Sequence, residues 1–249
     1  MRSSSPSVPL IHSVTPAIRV LQYVGALLFV VSLVVGGRAY FAHYDALAEP
    51  GTPAWPALIA NVALFSIFAL HHSLLARTPI KRWLRDRVGP DAERSCYVIV
   101  ASLLFLACTL GWAPLRGTWY TLSGPWWWVG RAVQGAGLVV TLVAARTLSV
   151  RELMGLSPSR QADARAGEPP FLETGGLYGL VRHPIYFGWV LFVFGAPLMT
   201  STHLLFAALS TVYLMMAIPF EERSLVQAFG PPYRDYQQRV RWRLLPGVY

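Results

Sequence analysis

Two apolar runs near the C-terminus decide the fold: IYFGWVLFVFGAPLMT at residues 185–200 and HLLFAALSTVYLMMAIPF at residues 203–220. Neither run contains a charged residue, and the short polar stretch Thr200–His203 joins them. A helix needs roughly 20 mainly apolar residues to cross a bilayer, and helices joined by so short a connection are antiparallel neighbours. The pattern predicts a tight helical hairpin in a membrane, with both helices close to the minimum spanning length.

Four further apolar segments precede this hairpin, at about 17–37, 55–76, 96–113 and 126–148. Hydrophobic residues make up 54% of the 249-residue chain and charged residues 13%, and the mean hydropathy is +0.44. Soluble domains carry about 25% charged residues. We therefore predict an all-α integral membrane protein with five to six transmembrane helices, the last two forming the hairpin.

Basic residues are unequally distributed between the connections. The net charge is +9, and most arginines lie in the loops 77–94 and 146–182 and in the tail 223–243. The alternate connections carry only Arg38 and Arg116. Because basic loops stay in the cytoplasm, six crossings place both termini and the basic loops on that side, as expected in a bacterial inner membrane.

The basic loops lie directly beside apolar runs, which predicts contact with anionic lipid headgroups. Trp126, Trp127 and Trp128 predict an aromatic belt at the outer face. The chain has no basic stripe with interleaved aromatics, so nucleic acid is not a predicted partner. Protein partners are not predictable from these features.

Metal and disulfide chemistry are not expected. Cys96 and Cys108 share one apolar run, and twelve helical residues separate them by about 18 Å, too far for a disulfide. Adjacent side chains such as His71 and His72 point about 100° apart on a helix and do not chelate one metal. The sequence contains no Walker motif and no Rossmann fingerprint.

A polar cluster opens the first helix of the hairpin. Pro184 suits a first helical turn, and His183 and Tyr186 are three residues apart, so they share one side of it. The free N–H groups of a helix start bind anions. The alternative is structural: His183 caps the helix and Tyr186 belongs to an aromatic belt.

A second polar cluster closes the hairpin. Glu221 and Glu222 lie at a hydrocarbon boundary, where carboxylates are costly unless paired or functional. The hairpin returns them to the neighbourhood of His183; the alternative is a solvated helix end with Arg182 or Arg223 as partner. The following stretch, 225–236, predicts an amphipathic interfacial helix with Tyr233 and Tyr236 on one face.

Together these residues resemble the integral-membrane methyltransferase superfamily, which includes isoprenylcysteine carboxyl and phospholipid methyltransferases. The shared pattern comprises Arg182-His183-Pro184-Ile185-Tyr186-Phe187-Gly188, Glu221-Glu222, Phe229-Gly230, Tyr233, Tyr236, Arg239, Arg241, Arg243 and Pro246. Residues 71–77, 93–97 and 111–114 resemble the methanethiol S-methyltransferase and NnrU-like branch. That branch carries an Asn-His-Phe-Asp-type stretch where this chain has Ser149-Val150-Arg151-Glu152.

The resemblance implies S-adenosylmethionine as cofactor and no metal. It implies an N-terminal segment at 1–16, disordered or cytoplasmic, a four-helix transmembrane region at 17–148, and a catalytic region at 149–249. The implied cofactor-binding residues are His183, Tyr186, Tyr178, Gly188, Glu222, Tyr233 and Tyr236. The implied catalytic residues are Glu222, Glu221, His183 and Arg182, and His71, His72 and Arg146 are expected along the substrate path.

Within this pattern, Glu222, with Glu221 beside it, is expected to hold the cofactor amino group or to orient the acceptor. Arg182 or a tail arginine is expected to bind the cofactor carboxylate, and Tyr178, Tyr233 and Tyr236 are expected to shape its adenosine end. The predicted reaction is methyl transfer to a small or lipophilic acceptor, foremost a thiol. Three alternatives stay open: isoprenylcysteine carboxyl or phospholipid amine methylation, an NADPH-dependent membrane reductase with a similar Arg-His-Pro-x-Tyr pattern, and a non-enzymatic NnrU-like membrane factor.

Overall fold

The structure is a computed structural model that describes residues 15–75, 78–146, 150–156 and 172–249, and helices dominate this part of the chain. The helices are α1 (Pro16–Arg38), α2 (Ala54–Leu75), α3 (Thr78–Val88), α4 (Pro90–Leu110), α5 (Pro125–Ala145), α6 (Val150–Leu153), α7 (Pro184–Phe194), α8 (Ser201–Phe229) and α9 (Pro231–Arg239). A π-helical turn, Ala39–His43, extends α1, and a 3-10 turn, Gly176–Gly179, precedes α7. The short strands are β1 (Thr118–Thr121) and β2 (Leu198–Thr200). The predicted segment 1–16 lies almost wholly outside the described residues, and the division at 148 stays a prediction.

Five helices in this part of the chain are long and apolar enough to cross a membrane: Pro16–His43, Ala54–Leu74, Ala92–Leu110, Pro125–Ala145 and Ser201–Phe229. The sixth apolar helix, α7, has only 11 residues, or about 16 Å at 1.5 Å per residue. That length is about half of a hydrocarbon core. The prediction of an all-α integral membrane protein with five to six transmembrane helices is confirmed.

The connection between α7 and α8 differs from its prediction. Helix α7 ends at Phe194, and a turn over residues 195–197 leads to β2, which pairs antiparallel with β1. The predicted turn at Thr200–His203 is therefore wrong. Thr200 is instead the N-cap of α8, because its hydroxyl accepts a hydrogen bond from the His203 backbone N–H at 3.1 Å.

Helix α7 packs closely along α5. A Cβ placed on Gly188 would lie 2.6 Å from the Gly137 carbonyl oxygen, closer than a side chain tolerates. The Thr141 hydroxyl also donates to the Ile185 carbonyl at 3.4 Å. Helix packing alone thus requires glycine at position 188, and the cofactor-binding role predicted for Gly188 stays a prediction.

Helix α8 is longer than predicted. It continues through Pro219 to Phe229, so residues 225–229, which were predicted to belong to the interfacial helix, are part of α8. Gly230 ends the helix with a φ of 63°, a conformation that glycine adopts without steric cost. The predicted interfacial helix is α9, which begins at Pro231.

The bundle end that holds β1 and β2 is called the far end. Its buried polar groups are mostly bonded to backbone atoms. The Asn61 side-chain amide donates to the Ala113 carbonyl at 2.8 Å and accepts from the Ala113 N–H at 2.8 Å. The Thr200 hydroxyl donates to the Tyr44 carbonyl at 2.7 Å. These bonds fasten the segments in which helical structure is interrupted.

Candidate active site

The first turn of α7 is fixed by the C-terminal tail. The Arg182 N–H donates to the Trp242 carbonyl at 2.9 Å, and the His183 N–H donates to the Arg243 carbonyl at 2.9 Å. His183 is the N-cap residue of α7 and Pro184 occupies its first turn, as predicted. The tail therefore holds the Arg-His-Pro segment beside the end of α8.

Glu222 is the centre of a buried ionic network. Its side chain is 5% exposed, and its Oε1 accepts from Arg182 Nε at 2.6 Å. Its Oε2 accepts from Gln237 Nε2 at 3.2 Å and lies 3.3 Å from Arg243 Nε. Arg182 also donates from Nη1 to the Val240 carbonyl at 2.7 Å. The charges of Arg182 and Glu222 are thus both engaged by protein groups. These contacts hold α7, α8, α9 and the tail together.

Glu221 has a different environment. Its side chain is 44% exposed, and its Oε2 accepts from the Tyr186 hydroxyl at 2.9 Å. The His183 ring stacks on Tyr186 with centroids 5.4 Å apart, and its Nε2 lies 3.4 Å from Glu222 Oε1. The convergence of His183, Tyr186 and the two carboxylates is confirmed, and Glu221 is the carboxylate that remains open to a ligand.

The predicted tyrosines lie behind this network. Tyr233 and Tyr236 are buried, and burial raises the pKa of both hydroxyls, so both stay protonated at physiological pH. The Tyr236 hydroxyl donates to the Tyr178 carbonyl at 2.7 Å, and the Tyr178 hydroxyl donates to the Ala144 carbonyl at 3.3 Å. Within the described chain, the Tyr233 hydroxyl has no hydrogen-bond partner.

A cleft of about 440 Å³ opens beside Glu222, within the range of roughly 300–1,000 Å³ typical of small-molecule sites. Its lining residues are Pro219, Glu222, Arg223, Val226, Gln227, Gln237 and Arg243. The hydrogen bond with Tyr249 raises the pKa of the Arg243 guanidinium, which is charged at physiological pH. Arg223 is exposed, so the cleft offers an anionic group one open cation, Arg223, and a second, Arg243, that is shared with Glu222 and Tyr249.

Some residues in and near the site were not predicted from the sequence. Gln237 occurs in a run of polar helical residues that gave no signal. The predicted path residue His72 shares a hydrogen bond of 2.8 Å between its Nδ1 and the Tyr97 hydroxyl. His71 stacks on the Tyr97 ring. Tyr97 belongs to the segment 93–97, which resembles the methanethiol S-methyltransferase and NnrU-like branch, but no role was predicted for it. Arg146 lies exposed at the end of α5.

The predicted departure from the methanethiol branch falls on α6, and Ser149 lies outside the described residues. Among the residues that the structure describes, no three histidine, cysteine or acidic side chains are grouped to hold a metal ion.

Comparison with known proteins agrees with this architecture. Residues 128–231, from α5 to the start of α9, match the family described as phospholipid methyltransferase. Methanethiol S-methyltransferase 1 of Bradyrhizobium diazoefficiens is 39% identical over 186 residues, which cover 74% of this chain and 65% of that protein. The chain therefore matches just under two thirds of that relative's length. No solved structure matches the chain.

The Mycobacterium tuberculosis methanethiol S-methyltransferase is 37% identical over 202 residues, covering 78% of this chain and 80% of the relative. A Nurim homolog of Drosophila melanogaster is 27% identical over 167 residues, with coverage of 64% and 66%. The fold and these matches define the class as a family of membrane-embedded methyltransferases. The chain belongs to the family of phospholipid-methyltransferase type that includes the methanethiol S-methyltransferases.

Proposed function

We propose that this enzyme transfers the methyl group of S-adenosylmethionine to a small thiol of the methanethiol class. The observation that carries the proposal is the contrast between two adjacent carboxylates. Glu222 is buried, engaged by protein donors and part of the cleft lining, whereas Glu221 is 44% exposed, lies beside the cleft and is held by the Tyr186 hydroxyl. A fixed, open carboxylate beside an aromatic ring is the chemistry that a sulfonium cation requires.

The side chains around the cleft fit the parts of S-adenosylmethionine. When bound, this cofactor supplies an electrophilic methyl group carried on a sulfonium. Arg223 and Arg243 suit its carboxylate, and Glu221 suits its cationic parts. The Tyr233 hydroxyl, which has no partner among the residues that the structure describes, supports the proposal further, because buried polar groups are normally hydrogen-bonded. Arg182, the other predicted partner of the carboxylate, is engaged by Glu222 and backbone carbonyls.

The residues of this chain act mainly by alignment. Methyl transfer requires the acceptor and the methyl group to lie in line, and fixed geometry lowers the barrier of such reactions. The stack on Tyr186 and the two carboxylates hold the His183 ring in one orientation. The Arg182–Glu222 pair in turn fixes the helix ends that carry these groups. Glu222 therefore acts as a positioning residue, and Glu221 faces the ligand.

The thiol acceptor is favoured by the names of the relatives. Six methanethiol S-methyltransferases match this chain at 34–39% identity. The phospholipid methyltransferase match makes a lipid amine the alternative acceptor for comparison.

We propose that the site faces the cytoplasm of a bacterial inner membrane, with both chain termini on that side. Glu221 lies 20 residues after Ser201 in α8, or about 30 Å along the helix, which is one hydrocarbon thickness. The basic helix α3, with Lys81, Arg82 and Arg85, connects α2 and α4 at the same end. Basic connections at the site end support a cytoplasmic orientation.

Calorimetric titration of the detergent-solubilised protein with S-adenosylhomocysteine tests the cofactor assignment. We expect low-micromolar binding, its loss in His183→Ala, and its retention in Tyr120→Phe, a control at the far end where the hydroxyl donates to the Phe194 carbonyl. NADPH is titrated in parallel. A folded protein that binds NADPH and not S-adenosylhomocysteine would contradict the proposal.

A further inference from the structure

A second polar cluster, which we call the acceptor cluster, lies on α2, α4 and α8 and consists of His72, Ser73, Tyr97 and Tyr213. The Tyr97 hydroxyl lies 2.8 Å from His72 Nδ1, and the Tyr213 hydroxyl lies 3.1 Å from Ser73 Oγ. All four residues are in membrane-spanning helices. Polar side chains at such positions are costly and are mostly retained for function.

The acceptor cluster adjoins the active site. The Ser73–Tyr213 hydrogen bond joins the cluster to α8, the helix that also carries Glu221. Tyr213 lies eight residues before Glu221, about 12 Å along that helix. The acceptor cluster therefore lies about two helical turns from the open carboxylate, which the Tyr186 hydroxyl holds at 2.9 Å.

Tyr97 is held by three neighbours. Its ring stacks on His71 with centroids 5.7 Å apart and an interplanar angle of 16°. The Arg94 guanidinium lies 5.0 Å from the ring centroid, and the hydroxyl meets His72. A fixed phenol beside a permanent cation provides two things that a thiol acceptor needs: a hydrogen-bonding group for its proton and a positive charge that favours thiolate.

We propose that the acceptor cluster binds the thiol and that the Tyr97–His72 pair takes up its proton; this inference rests on the proposed function. The thiol proton passes to the Tyr97 oxygen while the Tyr97 proton passes to His72 Nδ1. The acceptor sulfur forms a bond to the methyl carbon, whose bond to the donor sulfur breaks, leaving the electron pair on that sulfur. Once the product has left, the same proton returns from His72 Nδ1 through the Tyr97 hydroxyl to water entering the emptied site, which restores the starting tautomer.

The same cluster discriminates between acceptors. Its members are neutral, and the titratable or charged groups nearest to His72 are His71 and Arg94, with Glu221 beyond Tyr213. Arg94 repels an ammonium and stabilises a developing thiolate. The acceptor class is therefore a small, uncharged thiol rather than a lipid amine.

The test compares Tyr97→Phe and His72→Gln with the wild type and with the far-end control Tyr120→Phe. Formation of dimethyl sulfide is measured against methanethiol concentration from pH 6.5 to pH 9.5, together with S-adenosylhomocysteine binding. At pH 7 we expect kcat to fall about 100-fold in both cluster variants, the size typical of general acid–base catalysis. Their cofactor affinity should stay unchanged.

The pH profile separates proton uptake from a structural role. The cysteine thiol ionises near pH 8.5 and simple alkyl thiols at higher pH, so the deficit of both variants should shrink as the pH rises towards 9.5 and the solution supplies more thiolate. Wild-type kcat in either variant, a raised KM alone, or a deficit that is constant with pH would overturn the inference. A wild-type protein that binds S-adenosylhomocysteine but forms no dimethyl sulfide would instead overturn the thiol acceptor, and the inference with it.

Discussion

The two ends of the helical bundle bury polar groups in opposite ways. At the far end the buried groups are mainly neutral and bind backbone atoms, as Asn61 does with Ala113. At the site end they are ions that bind each other, as Arg182 and Glu222 do at 2.6 Å. The far end also contains a partly exposed carboxylate, that of Asp45, 3.6 Å from His203 Nδ1.

The difference follows from what each end does. Backbone groups in a membrane must be satisfied internally, and the far end is where the extended segments β1 and β2 interrupt the helices. Its side chains supply the missing bonds. The site end also contains non-helical segments, before α7 and in the tail 240–249, and its buried ions bind both each other and backbone carbonyls, as Arg182 does. The Tyr186 hydroxyl holds the Glu221 carboxylate in an open position. The polar groups of the far end stabilise the fold, and those of the site end position side chains for a ligand.

The largest expected effect comes from removing the ionic centre. Glu222→Ala leaves the Arg182 guanidinium buried without its carboxylate, and loss of one partner of a buried pair costs about 3–5 kcal/mol. Thermal unfolding in detergent should show a large loss of stability, together with loss of S-adenosylhomocysteine binding. An unfolding temperature equal to that of the wild type would show that the network does not hold the helix ends together.

The contact between α5 and α7 links the two ends. Gly188→Ala places a methyl group against the Gly137 backbone, and overpacking of this kind costs about 3 kcal/mol at its upper range. We expect lower stability and weaker S-adenosylhomocysteine binding, because the start of α7 is displaced. Gly135→Ala on α5 is the matched control, since it has no neighbour within 4 Å. Equal stability and equal S-adenosylhomocysteine affinity of the two variants would show that the packing of α7 on α5 does not affect the site.

The sequence predicted the site end better than the far end, for a physical reason. Arg182, His183 and Glu222 lie at the ends of a helical pair, so connectivity alone brings them together. The convergence of Tyr97 and Tyr213 depends on how three long helices are rotated about their axes. Composition and periodicity do not determine that rotation when all faces of a helix are apolar.

The limits of the extended connection were missed for a related reason. Residues 195–200 contain no charged residue, so the sequence pattern assigns them to the same apolar run, whereas Leu198–Thr200 are extended and pair with β1. The end of α8 was also misplaced, because the apolar run ends at Phe220, whereas the helix continues through the polar residues that follow to Phe229. Pairing with β1 determines where the extended segment lies, and the conformation of Gly230 determines where α8 ends.

A smaller effect is expected at the far end. Asn61→Ala leaves a buried N–H and a buried carbonyl of Ala113 unpaired, at a cost of about 2 kcal/mol. Thermal unfolding should detect this loss, and titration with S-adenosylhomocysteine should give the wild-type affinity. A weakened S-adenosylhomocysteine affinity in this variant would show that the far end also contributes to ligand binding.

The smallest effect on stability is expected for Glu221→Gln. Glu221 is 44% exposed, and substitutions at such surface positions usually change stability by less than about 0.5 kcal/mol. S-adenosylhomocysteine keeps the ammonium group of the cofactor but not its sulfonium. Its affinity should nevertheless fall about 10-fold or more if Glu221 accepts from that ammonium, because a charged partner contributes about 1.5–3 kcal/mol to a hydrogen bond. The two carboxylates would have equivalent roles if this variant unfolded as readily as Glu222→Ala.

Transfer of an isotopically labelled methyl group is the most direct test of the central claim. The purified protein is incubated with methyl-labelled S-adenosylmethionine and methanethiol, and the headspace is analysed for labelled dimethyl sulfide; a lipid amine replaces the thiol in a parallel reaction. We predict labelled dimethyl sulfide from the wild type and the Tyr120→Phe control, and its loss in Glu221→Gln and His183→Ala. A folded, cofactor-binding wild type that labels only the lipid amine would contradict the thiol acceptor, and full activity in Glu221→Gln would contradict the role given to the open carboxylate.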